Sequence, residues 1–148
     1  MPINNNMKSQ ISRIKFYASF IILSFVLNTL IEAMVIWLGI VNYTVEPQFL
    51  GIAWFTYLIY PFWTLASYLG GNFLSRKTKV NRYIFYFIIG ALFAFSFDLY
   101  FTSVNFYFYR FNSILRIGLV PIEDFFAVGL MMAVSVVVSD YLAKKIVR

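Results

Sequence analysis

The chain has six carboxylates in 148 residues, and four of them stand in apolar surroundings. Glu123 and Asp124 are adjacent in the stretch GLVPIEDFFAVGL, residues 118–130. Asp98 sits in the middle of FAFSFDLYF, and Glu32 follows Ser24 and Asn28 at four-residue intervals. A carboxylic acid in an apolar pocket can keep its proton and act as a general acid, and a second acid nearby can act as the base. Aromatic rings stabilise a passing cation, and Phe93, Phe95, Phe97, Tyr100, Phe101, Phe125 and Phe126 flank these acids. Acid, aromatic wall and base are together what an acid-initiated cyclisation of a polyene requires.

The elements that carry these residues read as membrane helices. The chain is 61% hydrophobic and 12% charged, with a mean hydropathy of +0.78, far outside the range of soluble domains. Four apolar runs, about 14–40, 51–74, 83–104 and 120–142, are each long enough to cross a hydrocarbon core of roughly 30 Å at about 1.5 Å per residue. The expectation is an all-α membrane protein: one integral domain, 1–148, forming a bundle of four transmembrane helices. The first run is too long, and too free of a small-residue cleavage site, to read as a removable signal peptide. Lys8, Arg13, Lys15, Arg76, Lys77, Lys79, Arg82, Lys144, Lys145 and Arg148 fall on one side, and Arg110 and Arg116 on the other. The positive-inside rule then places both termini in the cytoplasm, and the expected location is the cytoplasmic membrane of a prokaryote. The net charge of +6 is a topology signal with some attraction to anionic headgroups, not a nucleic-acid footprint. With no cysteine and no histidine, disulfides, thiol chemistry, haem ligation by these residues and the usual zinc sites are excluded. No metal or organic cofactor is called for.

In this frame Glu46 and Asp140 read as surface or interfacial charges, and Trp54 and Tyr107–Tyr109 as aromatics of an interfacial belt. Glu32, Asp98, Glu123 and Asp124 lie about 10–15 Å inside the outer boundary at the helical rise. Intramembrane acids are costly and mark function by default. Residues four apart share a helix face, which gives one polar or small stripe per helix. These are Ser24, Asn28 and Glu32; Thr56, Tyr60, Thr64, Tyr68 and Asn72; Gly90, Ala94, Asp98 and Thr102; and Glu123, Ala127, Met131, Ser135 and Ser139. The side chains of Glu32, Asp98 and Glu123 are expected to point into one shared cavity, with at least one acid holding its proton. Asp124, rotated about 100° from Glu123, has a different task. Two structural alternatives stand beside this reading. Pro121 followed by acids suits a helix start, and Arg110 and Arg116 are available ion-pair partners.

The segment DLYFTSVNFYFYRFNSILRIGLVPIEDFFAVGL, Asp98 to Leu130, resembles the membrane lycopene cyclase domain of carotenoid pathways. In that family an aromatic stretch and a Gly-containing link lead to a Pro-x-Glu motif with a second acid, here Pro121-Ile122-Glu123-Asp124-Phe125-Phe126. The resemblance implies a small cofactor-independent cyclase, an intramolecular lyase or isomerase acting on a hydrophobic isoprenoid. Such enzymes are often split into two short membrane subunits that pair. It further implies catalytic roles for Glu123 and Asp124, with Glu123 the first choice as proton donor and Asp98 and Glu32 as cation stabiliser or base. Tyr100, Phe126, Phe97, Tyr60 and Asn28 are the expected substrate contacts. The first half of the chain holds an echo of the same hairpin, Glu32 followed by Asn42, Tyr43, Gly51 and Pro61, but YPFWTLASY from Tyr60 lacks the motif's acids. A partner subunit or a second copy is therefore part of this expectation. The competing expectation is a non-enzymatic membrane protein, either a partner subunit or an ion or proton path lined by the acids.

Overall fold

The computed structural model describes residues 5–46, 48–110, 113 and 115–148, with backbone alone for 5–8. Among them are four helices, α1 (Asn5–Trp37), α2 (Thr56–Thr78), α3 (Arg82–Ser103) and α4 (Ile122–Val147). Ser9–Trp37 of α1 and the whole of α3 and α4 are long and apolar enough to cross a membrane, compatible with an integral membrane protein. The second expected span is the more polar one, because Thr56, Tyr60, Thr64, Ser67 and Asn72 interrupt its apolar surface.

Each long connection at one end of the bundle contains short strands that the apolar runs did not announce. After α1 come β1 (Val41–Tyr43) and a hairpin of β2 (Gln48–Phe49) and β3 (Ile52–Ala53). After α3 come β4 (Tyr107–Tyr109) and a hairpin of β5 (Arg116–Ile117) and β6 (Val120–Pro121). The order helix, strand, hairpin, helix thus occurs twice. The second helix starts at Thr56 rather than near Gly51 because Leu50 and Gly51 take φ of 54° and 76°, the left-handed pair of a tight hairpin turn. The two halves are joined by β1 and β4, which pair antiparallel with Val41 opposite Tyr109 and Tyr43 opposite Tyr107. This register is symmetric about the Asn42–Phe108 pair, a local two-fold relation between the halves.

At the opposite end, Lys79 closes α2 with φ 61° and an N–H bond to Ser75 O. Asn81 then caps α3 by accepting from Tyr83 N at 3.0 Å. So short a link makes α2 and α3 antiparallel neighbours. Arg76 and Lys77 in the last turn of α2, and Lys144 and Lys145 in the last turn of α4, complement the helix dipoles.

The seams between helices rest on glycines and on one polar knot. A Cβ at Gly71 would meet the Tyr86 ring at 2.4 Å, one at Gly90 would meet Met132 Cβ at 2.4 Å, and one at Gly129 would meet Phe87 and Ala91 within 3 Å. In mid-bundle, Asn28 Nδ2 donates to Thr64 Oγ1 at 2.9 Å, Ser135 Oγ donates to Asn28 Oδ1 at 2.7 Å, and Thr64 Oγ1 donates to Tyr60 O at 2.9 Å. All three side chains are wholly buried. Interhelical bonds of this kind average about 0.6 kcal/mol each, but their directionality fixes which faces of α1, α2 and α4 meet.

The glycine seams carry a direct test. Gly90→Val should destabilise the bundle by about 1–3 kcal/mol through overpacking, read as a lowered unfolding midpoint in detergent. Gly70→Ala, whose Cβ meets only the tip of Ile89, should shift that midpoint far less.

Candidate functional site

Between the ribbon-side halves of the four helices and the β1–β4 ribbon lies a cavity of about 450 Å³, within the range of small-molecule sites. Glu32, Asp98, Glu123 and Asp124 all contribute to its lining, with Tyr43, Tyr60, Tyr107 and Tyr109 as the other polar groups of size, and none of its lining residues is basic. Phe55, Trp63, Phe97 and Phe101 supply an aromatic wall. Trp63 and Phe97 meet edge-on at 4.9 Å, and Phe97 and Phe101 lie 5.4 Å apart.

The repeat of the fold reappears in the site as two unequal halves. In the first, the Tyr43 hydroxyl donates to Glu32 Oε1 at 2.9 Å, Thr56 stands near Tyr43, and the buried Tyr60 hydroxyl, without a hydrogen-bond partner among the described residues, stands near Glu32. In the second, Asp98, Asp124 and Tyr109 stand close enough to interact electrostatically. Tyr107 also donates to Asp98. Glu32 and Asp98 are 66 residues apart, and so are Tyr43 and Tyr109. Thr56 and Asp124 each stand at the start of the helix that follows the hairpin. An ionised carboxylate only accepts hydrogen bonds. Two facing carboxyl groups in an apolar space therefore lie together at low cost only when they share a proton. One Asp124 oxygen, Oδ2, is buried with no hydrogen-bond partner among the described residues. Burial, with Glu32 nearby, pushes the Tyr43 phenol well up, and burial with Asp98 and Asp124 nearby does the same to Tyr109. Both stay neutral donors.

The structure corrects the expected orientation of the acid pair. Glu123 is exposed at the cavity rim and accepts from Ser113 Oγ at 2.5 Å, while Asp124 turns inward to Asp98. The cause is helical drift. Four-residue steps advance about 400° each, so the row from Ser139 back to Glu123 rotates by about 160° over four steps. Ser135 and Ser139 face the bundle, and Glu123 consequently does not. Tyr100 and Phe126 also lie outside the cavity, 62% and 60% exposed. Asn28 is committed to the knot below it. Phe97 and Tyr60 do line it. Glu46 is a loop acid that accepts from Gln48 N. Asp140, read as an interfacial charge, is buried and paired with Lys144 at 2.6 Å. Sequence reasoning missed Tyr107 and Tyr109, assigned to an interfacial belt. The equal eleven-residue spacing of Glu32–Tyr43 and Asp98–Tyr109 was the available signal.

No family model, no curated protein and no solved structure matches the chain.

Infrared spectroscopy tests the shared proton. At neutral pH the spectrum should contain a protonated-carboxyl component that Asp98→Asn removes, since the asparagine amide donates to Asp124 without needing a proton between them. An unchanged carbonyl region in Asp98→Asn would rule out the shared proton.

Proposed function

We propose that the chain is a four-span membrane protein with both termini cytoplasmic, and that its cavity protonates a carbon–carbon double bond of a long isoprenoid, in the manner of a lycopene cyclase. The observation that supports this best is that Asp98 and Asp124 stand together in an aromatic cavity with no basic residue among its described lining residues. With no counter-charge to favour ionisation, such a pair keeps its proton at neutral pH until an acceptor is bound against it.

The step balances without a cofactor. The O–H bond of the carboxyl pair breaks as a C–H bond forms on the terminal double bond, and positive charge develops on the adjacent carbon. The neighbouring double bond attacks that carbon and closes a ring, moving the charge inward. A base then takes a proton from the carbon beside the cation, and a new double bond forms. The reaction is an isomerisation. Phe97, Phe101 and Trp63 face the space in which the cation develops, where aromatic faces stabilise it. Glu32, held by Tyr43 across the same cavity, is placed to accept the final proton. A volume of about 450 Å³ suits one end of a long polyene, with the rest of the chain outside.

The competing reading, a proton or ion path through the bundle, is disfavoured by the knot of Asn28, Thr64 and Ser135. It closes the inner side of the cavity with wholly buried, mutually bonded side chains.

Topology is tested by cysteine labelling, for which the chain offers a background without cysteine. Thr78→Cys and Arg148→Cys should react from the cytoplasmic side and Gln48→Cys from the other, and reaction of Thr78→Cys and Gln48→Cys from one side would overturn the arrangement.

Activity is tested by expression in cells that accumulate a linear carotenoid, alone and with a candidate second subunit, followed by chromatography of the pigments. A cyclic product is expected. Asp98→Asn and Asp124→Asn should each lower it by about 10²–10⁴-fold, the usual contribution of a general acid, with the folded protein still in the membrane. Glu123→Gln should keep most of it. Unchanged pigments from the wild type under every pairing would remove the enzymatic reading.

A further inference from the structure

The cavity has an edge that the proposed chemistry does not explain. Of the described residues that line it, only Glu123 and Ala127 are exposed, one turn apart on α4. The remainder of its lining is buried or half-buried. Opposite them, Ile31 and Val35 of α1 line the same space, also one turn apart.

The placement of these four side chains follows from what holds α4. Phe125 packs on Phe87 and Phe95 of α3, and Gly129 sits against Phe87 and Ala91. These contacts define the side of α4 that faces α3. Ser135, bonded to Asn28, defines the side that faces α1. At about 100° per residue, Asp124 and Met131 fall on the α1 side, and Ala127 and Glu123 fall just beyond it toward the outside. Below them α1 and α4 are locked together by the Asn28–Ser135 bond. Above that bond α4 offers the small side chain of Ala127 at the opening, with Glu123 one turn further on, and α1 presents aliphatic groups.

We infer that an apolar chain enters the cavity sideways, from the outer leaflet, through a portal between the outer halves of α1 and α4 with Ala127 as its threshold. The inference rests on the proposed isoprenoid reading and adds the route and the orientation of the ligand. The reacting end passes Ala127 and reaches the Asp98–Asp124 pair, and the remainder of the chain stays in lipid. Glu123, held by Ser113 at the rim, marks the boundary of the opening. A charge there favours hydrocarbon that continues past it into lipid over any anionic group, which like-charge repulsion keeps out. Ala127 is thus a specificity-determining residue that sets the girth of chain admitted, without touching the reacting atoms.

Trp63 supplies the probe, because it lines the cavity and is one of three tryptophans. Trp37 and Trp54 are exposed, and replacing both by Phe leaves Trp63 as the single emitter. The protein in lipid vesicles is mixed with a long linear isoprenoid hydrocarbon brominated at one end, a quencher that acts only on contact. Trp63 emission should fall several-fold. Ile31→Phe together with Ala127→Phe should restore most of it, whereas Ser96→Phe, which adds equal bulk to an exposed position of α3, should leave quenching intact. Equal quenching with and without the two portal substitutions would overturn the portal while leaving the isoprenoid reading in place. Absence of quenching in the unblocked protein would remove both.

Discussion

The antiparallel pairing of Val41–Tyr43 with Tyr107–Tyr109 is the contact on which the rest of the site depends. It is only three residues long on each side, too short to be stable alone in water. Its stability comes from burial. Val41, Tyr43, Tyr107 and Tyr109 are each 9% exposed or less and pack with Ile52, Ala53 and Val120 from the two hairpins. The ribbon ties the connection after α1 to the connection after α3 and hangs three phenols over the acids. Without it Glu32 would lose the Tyr43 hydroxyl, and Asp98 would lose both of its tyrosines.

The two halves of the molecule repeat in backbone but not in charge. The Tyr43–Glu32–Thr56 group and the Tyr109–Asp98–Asp124 group occupy matching places in the helix, strand and hairpin order. A hydroxyl stands in the first where a carboxyl stands in the second. This one difference separates their chemistry. Glu32 receives donors only, so it can exist as an acceptor. Asp98 and Asp124 stand together, and two such carboxyl groups do so at low cost only when they share a proton. A chemically symmetric site would give two equivalent groups and no direction for proton movement. Under the proposed reaction, a hydroxyl at Thr56 in place of an acid leaves the Asp98–Asp124 half as the donor and the Glu32 half as the acceptor.

Much of this was legible in the sequence, and the failures have specific causes. Four apolar runs gave the four helices, and the stripes through Ser24–Asn28–Glu32, Thr56–Tyr60–Thr64 and Ala94–Asp98–Thr102 face inward. These are parts of longer rows; over the two steps of each part the four-residue spacing drifts by only about 80°, and further along the α2 row Tyr68 and Asn72 are only half-buried. The row on α4 spans sixteen residues, and the same drift carries Glu123 to the rim of the cavity and turns Asp124 toward Asp98. The two-residue strands of the hairpins were invisible because alternation needs at least four residues to register. Tyr107 and Tyr109 looked like interfacial aromatics because a belt residue and a buried phenol are the same letter. Only the pairing partner, 66 residues away, distinguishes them.

The existence of a cavity in so small a bundle follows from how the two ends are spaced. At the α2–α3 link end, glycines bring backbones close, with Gly71 against Tyr86 and Gly90 against Met132, and the van der Waals contact that drives helix association in lipid is satisfied there. At the other end the ribbon and its tyrosines are inserted among the helix ends and hold them apart. Helices close at one end and wedged at the other must enclose space between. The Asn28–Thr64–Ser135 knot fixes where closeness gives way to separation, because its bonds hold α1, α2 and α4 at one level. The acids stand above that level, on the open side. A polar knot below, an aromatic wall beside and a phenol-bearing ribbon above therefore leave the flank as the direction with least packing. In a membrane that flank faces hydrocarbon.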